Sequence, residues 1–115
     1  MSKRPQIVYL SGPMTGLPDY NRPAFFAAEK RLRSLGHQVS NPARQTVMPL
    51  LSRWDYLGVD FMTIEGLNNT YGPAACAMAH LPGWDKSLGS LMETAQATFY
   101  EWRIFDVDEL LPTEE

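Results

Sequence analysis

The stretch IVYLSGPMTGLPDYNRPAFF, residues 7–26, decides the reading of this chain. Ile7-Val8-Tyr9-Leu10 is β-branched and aromatic, the composition of a buried strand. Ser11-Gly12-Pro13-Met14-Thr15-Gly16 interrupts it with residues that turn. Asn21 can accept an unpaired backbone N–H as a helix cap, and Pro23 suits a first helical turn, where its missing N–H costs nothing. Phe25, Ala28, Leu32 and Leu35 then recur at helical spacing, with Glu29, Lys30, Arg31 and Arg33 on the other face. Strand, glycine loop and helix follow one another directly. A loop of this kind lets backbone approach a ligand closely, and the helix start behind it offers free N–H groups to an anion. It equally serves as a tight packing turn. Neither G-x-x-x-x-G-K-[ST] nor G-x-G-x-x-G is present.

Working outward, Gly36 stops the first helix, and His37–Ser40 forms a short second strand. Residues 44–52 read as irregular. Trp54–Leu67 reads as a helix, with Trp54, Leu57, Phe61, Ile64 and Leu67 as its stripe, and residues 68–73 as a loop. AACAMAHL, residues 74–81, is short, apolar and bracketed by proline, so it reads as a buried strand despite its alanines. Ser87–Trp102 reads as a helix with Leu88, Leu91, Met92, Ala95, Phe99 and Trp102 inward. A last strand, Arg103–Val107, and a short helical tail follow. The β-α-β-α-β-α-β order predicts a single α/β domain over residues 1–115. Its sheet is Rossmann-like (flavodoxin-like), parallel, of about four to five strands, with helices on both faces. Ligands of such sheets bind at the carboxyl ends of the strands. Two loops leave those ends: residues 11–20 and 82–90.

Composition narrows the function classes. The 115 residues are 44% hydrophobic and 20% charged, with a net charge of -3. An acidic balance argues against duplex nucleic acid and anionic membranes as partners. The single cysteine, Cys76, permits no intrachain disulfide and is compatible with a reducing compartment, so a cytoplasmic protein is expected. His37 and His80 lack partners at metal-ligand spacing, and no metal site is expected. Met48, Met62 and Met92 read as core filler.

The second loop carries the chemistry. In LPGWDKSLGSLMETA, Ser87, Gly89 and Ser90 open a helix, and Glu93 lies one turn inside at the border of the apolar stripe. A half-buried carboxylate there serves as nucleophile or base; alternatively it complements the helix dipole. Trp84 either stacks on a flat ligand ring or covers the edge of the core. Asp60, in WDYLGVDFM, is a lone helical aspartate.

VYLSGPMTG and SLGSLMETA together resemble the nucleoside 2-deoxyribosyltransferase-like family, which includes the 2′-deoxynucleoside 5′-monophosphate N-glycosidases. SGPMTG and LPGW are shared with a branch of small, uncharacterised phage- and prophage-associated proteins. The resemblance spans about residues 6–107. It implies that Glu93 is the nucleophile that attacks C1′ and that Tyr9 is the active-site tyrosine. Ser87 then contacts the 5′ end of the substrate, and Asp60 assists at the base or sugar, with Asp55 as the fallback. Ser11, Gly12, Pro13, Met14, Thr15, Gly16, Trp84, Gly89 and Ser90 are the implied substrate-binding residues. Monophosphate glycosidases carry an arginine in the first loop where this chain has Met14-Thr15. The implied activity is cleavage of an N-glycosidic bond in a nucleoside or its 5′-monophosphate, without cofactor or metal. The sugar passes to water or to a second base. A homo-oligomer is implied as well, with Trp54, Tyr56 and Tyr71 as interface aromatics. The alternative is a non-catalytic nucleotide-binding module of phage origin that senses or sequesters a host nucleotide.

Overall fold

In the computed structural model, residues 5–45 and 52–109 are described. Four strands alternate with three helices: β1 Ile7–Ser11, α1 Arg22–Ser34, β2 Gln38–Ser40, α2 Arg53–Tyr71, β3 Cys76–His80, α3 Leu88–Phe99 and β4 Arg103–Asp106. The strands form one sheet in the order β2-β1-β3-β4, and every pairing is parallel. The expected Rossmann-like α/β sheet is therefore present, with four strands. None of the described helices is long and apolar enough to cross a membrane.

Strand β1 is buried at all five positions, as a strand covered on both faces must be. Its alternation divides the core. Val8 and Leu10 meet Phe25, Ala28 and Leu32 of α1 on one face. Ile7 and Tyr9 meet Ile64, Met78, Ala97 and Trp102 on the other, beneath α2 and α3. Burying one such large side chain is worth roughly 1.5–3 kcal/mol. The chain leaves β1 toward β2 and returns to β3 on the opposite side, so the strand order reverses between β1 and β3. That reversal opens a crevice at their carboxyl ends.

Four local expectations change. Helix α2 runs on to Tyr71 through residues expected in a loop, because its last turns are held in place. Asn68 Oδ1 accepts the Trp102 indole N–H at 3.0 Å, and Gly72, at φ 82°, ends the helix. Glu29 faces inward with only 3% exposure, since Arg33, Arg44 and Asn41 converge on its carboxylate. Met62 is 72% exposed and fills no core. Met48 and most of the expected irregular stretch lie outside the described residues.

Helix α3 is turned over relative to the expected stripe. Ser90, Glu93 and Ala97 are its buried residues, whereas Leu88, Leu91 and Phe99 are exposed. The inner side of this helix walls a polar crevice rather than an oily core. The amphipathic rule therefore selects the wrong face here. Trp102 alone of the expected set is buried, and it follows the helix.

Candidate active site

The crevice begins with Gly12. A Cβ built there would lie 2.8 Å from Leu81 Cβ, closer than any real contact, so only glycine lets β1 leave the sheet along this path. Leu81 N–H donates to Ser11 O at 2.9 Å and extends the pairing past β3. The two glycine turns touch: a Cβ on Gly83, which has φ 87°, would stand 3.3 Å from Pro13 Cγ. The chain then bends through Asp19, Tyr20 and Asn21, all left-handed, at φ 51°, 53° and 60°. Such residues cost of order 1–3 kcal/mol each and persist only where the surroundings hold them. Asn21 accordingly caps no N–H. Its side-chain amide donates to Pro13 O at 2.9 Å instead, tying the bend to the first loop.

Glu93 sits under this arch, 6% exposed. Ser11 Oγ donates to one carboxylate oxygen at 2.7 Å and the Tyr9 hydroxyl to the other at 3.2 Å. Ser90 Oγ lies 2.6 Å from Ser11 Oγ and continues the network. Asp60, from α2, is within hydrogen-bonding range of both Glu93 and Tyr9. Gln45 donates to the outer Asp60 oxygen at 2.5 Å. Ser87 caps α3, its Oγ accepting Ser90 N–H at 3.3 Å. Three elements thus bring a tyrosine, two serines and two carboxyls to one point.

No cation is in hydrogen-bond or salt-bridge contact with these carboxyls. Burial pushes Glu93 well above the ordinary carboxylate range, and the adjacent Asp60 adds to the effect; the Ser11 and Tyr9 hydroxyls only partly oppose it. Burial also raises Asp60, against its hydrogen bonds with Glu93, Gln45 and Tyr9. Tyr9 is raised by burial and by both carboxyls, so it stays protonated and donates. Two like charges this close do not both ionise, and the pair holds one proton across neutral pH.

A cavity of about 610 Å³ opens onto the pair, within the usual range for small-molecule sites. Gly12, Pro13, Met14, Thr15, Ser87, Gly89, Ser90, Asp60 and Glu93 line it as expected. Tyr9 and Ser11 stand behind Glu93. Gly16 and Trp84 are elsewhere. Gly16 is a turn residue at φ 83°. Trp84 stacks on His80, ring centroids 3.7 Å apart and planes within 10°, which resolves its two readings in favour of covering structure. Asp55 is exposed and closes a capping box with Ser52, so it is occupied in starting α2.

Sequence reasoning missed two cations on the cavity wall, Arg22 and Lys86. Arg22 Nε is buried and has no hydrogen-bond partner among the described residues, and the guanidinium meets only the exposed Asp19, at 3.8 Å. Nothing in the local pattern marks Arg22, because the left-handed bend, which propensity does not foresee, brings it to the site. Lys86 reads as an ordinary surface lysine until the loop is seen to fold over the crevice.

No curated protein and no solved structure matches the chain. The model of a domain family of unknown function, DUF4406, matches residues 6–106, and the chain belongs to that family.

Proposed function

We propose that this protein cleaves the N-glycosidic bond of a deoxynucleoside 5′-monophosphate through a Glu93 nucleophile. The observation that carries the reading is the buried Glu93–Asp60 pair with Tyr9 and Ser11 on it, facing a cavity of mononucleotide size. The resemblance of VYLSGPMTG and SLGSLMETA to the nucleoside 2-deoxyribosyltransferase-like family points the same way. Arg22 and Lys86 on the cavity wall favour a substrate with an anionic 5′ group over a free nucleoside.

One shared proton serves both halves of the reaction. With the proton on Asp60, Glu93 is ionised, and its oxygen attacks C1′ as the C1′–N bond breaks. The electron pair of that bond leaves with the base, which takes the Asp60 proton. Positive charge developing on the sugar is met by a carboxylate that has few other partners. Water, or a second base, then opens the glycosyl ester and releases Glu93. The incoming nucleophile returns its proton to Asp60. Tyr9 and Ser11 fix the Glu93 carboxylate by donating to it and are not consumed. The two carboxyls touch each other, closer than the ~5–5.5 Å usual in retaining glycosidases, so the sugar must part them as it seats.

The test is base release by chromatography from a panel of deoxynucleosides and their 5′-monophosphates. Turnover of a monophosphate, lost in Glu93→Ala while the fold is kept, supports the reading. Tight binding of these nucleotides without any base release identifies a binding module instead.

A further inference from the structure

Leu88, Leu91, Ala95 and Phe99 follow at spacings of three, four and four, and so share one side of α3. That side is opposite the buried Ser90, Glu93 and Ala97. Leu88, Leu91 and Phe99 are 49%, 43% and 82% exposed. Helix α2 packs alongside, its Phe61 carbonyl accepting the Gln96 side-chain amide at 2.9 Å, and adds Trp54 and Met62, 57% and 72% exposed. The only charged residue of α3 is Glu93, which is buried, so the outer surface of this helix carries no charge at all. A helix that merely shielded the site from water would carry its charged residues outward. An uncharged apolar stripe on the outside is the mark of a surface that meets protein.

We propose that the outward face of α3, flanked by Trp54 and Met62, is the contact of a two-fold homodimer. Three features select a second copy as the occupant. The face carries neither sign of charge, so it favours no basic or acidic partner, and the chain's net charge of -3 is kept off the contact. A two-fold contact needs a surface that complements itself, and the small Ala95 between Leu91 and Phe99 provides a hollow beside two knobs. The exposed parts of these side chains amount to roughly 600 Å², close to the ~800 Å² that each partner contributes to a stable interface. The stripe begins at Leu88, which also lines the cavity, so the second copy borders the mouth of the site. The inference stands independently of the reaction proposed above.

Sedimentation velocity on the full chain tests it. The expected result is a species of twice the 13.0 kDa chain mass across the micromolar range. Leu91→Lys and Phe99→Lys should each return the single-chain mass with circular dichroism unchanged, since both side chains are exposed. Lys30→Glu, on α1 across the sheet, should leave the dimer intact. Should the lysine variants misfold, Ala95→Cys supplies the second measurement. Dissolved oxygen should link its thiols into a covalent dimer, because the native Cys76 is buried. A wild-type protein of single-chain mass at every concentration overturns the proposal. So does a dimer that survives both lysine variants, or a dimeric Ala95→Cys that does not cross-link.

Discussion

Two glutamates are buried in this molecule, and they have opposite surroundings. Glu29, on the α1 side of the sheet, is 3% exposed and is met by Arg33 Nε at 2.7 Å, Arg44 Nε at 2.9 Å and Asn41 Nδ2 at 2.9 Å. Burial alone would raise its pKa, yet Arg44, Asn41 and Arg33 hold it at about 2. Glu93, on the α2–α3 side, receives two hydroxyls and a second carboxyl, and its pKa rises. Depth is nearly equal; the neighbours decide. The first carboxylate is fully used in tying α1 to the segment after β2. The second is left with a charge that the fold does not balance, and a cationic sugar would balance it. A buried acid without a cation is a cost the fold retains only where something else comes to meet it.

The largest effect that would sharpen this contrast comes from Glu93→Gln. Base release should fall about 10⁴-fold or more, because no other group present forms the ester. Stability should move the other way. A raised folded pKa means that Glu93 favours the fold when protonated. Its contribution is present below its ordinary value and is lost as pH rises through the raised value. The glutamine variant, which mimics the protonated form, should therefore gain on wild type in thermal melts from pH 5 to pH 8. A variant that is less stable than wild type at pH 8 would break the comparison.

Asp60→Asn should come next. Removing the general acid should cost about 10²–10³-fold in base release, with the loss greatest for bases that leave poorly. Asp60 is also one reason the Glu93 pKa is high. In the Asp60→Asn background, the stability gained by Glu93→Gln at pH 8 should shrink. A double-mutant cycle reads this directly, and strict additivity would mean that the carboxyls do not share a proton.

Glu29→Gln should act on the fold. It should destabilise by about 2–3 kcal/mol near neutral pH, since it removes charge-assisted hydrogen bonds. Arg33 and Arg44 are half exposed and rehydrate, which keeps the loss below that of a fully buried pair. Here the folded pKa is depressed. The stability is present above the ordinary value of 4.5 and lost as pH falls through about 2. Melts of wild type and Glu29→Gln should thus converge in acid, whereas those of wild type and Glu93→Gln diverge in base. Crossing the two series in one set of pH titrations tests both carboxylates at once.

What the sequence makes legible follows the same division. The buried β1, the alternation of strands and helices, and the Ser87–Glu93 spacing are local patterns, and local rules find them. Tyr9 and Asp60 were expected beside Glu93 only through the resemblance, since no spacing links three separate elements. The inward turn of Glu29 was not legible, because its partners Asn41 and Arg44 lie 12 and 15 residues further on and read as loop. The face of α3 was misread for a physical reason. Amphipathic patterning assumes that apolar residues seek the protein's own core, and this helix turns its polar side inward to build a site. Arg22 depends on three consecutive left-handed residues, which no propensity predicts.

The finest test of the contrast is Tyr9→Phe, expected to have the smallest effect. The phenol donates to Glu93 at 3.2 Å, a long bond beside the 2.7 Å bond from Ser11. Losing it leaves Ser11 to orient the carboxylate and removes one of the two groups that favour its ionised form. Base release should drop no more than about 10-fold at its optimum. The acid limb of the pH profile should move upward, because Glu93 then holds its proton more tightly. The ring itself is buried beneath α2, and phenylalanine keeps its packing, so the melting temperature should change little. A Tyr9→Phe variant as inactive as Glu93→Gln would place the tyrosine in the chemistry itself. One with an unshifted pH profile would mean that the hydroxyl network does not tune Glu93, and that burial and Asp60 alone distinguish it from Glu29.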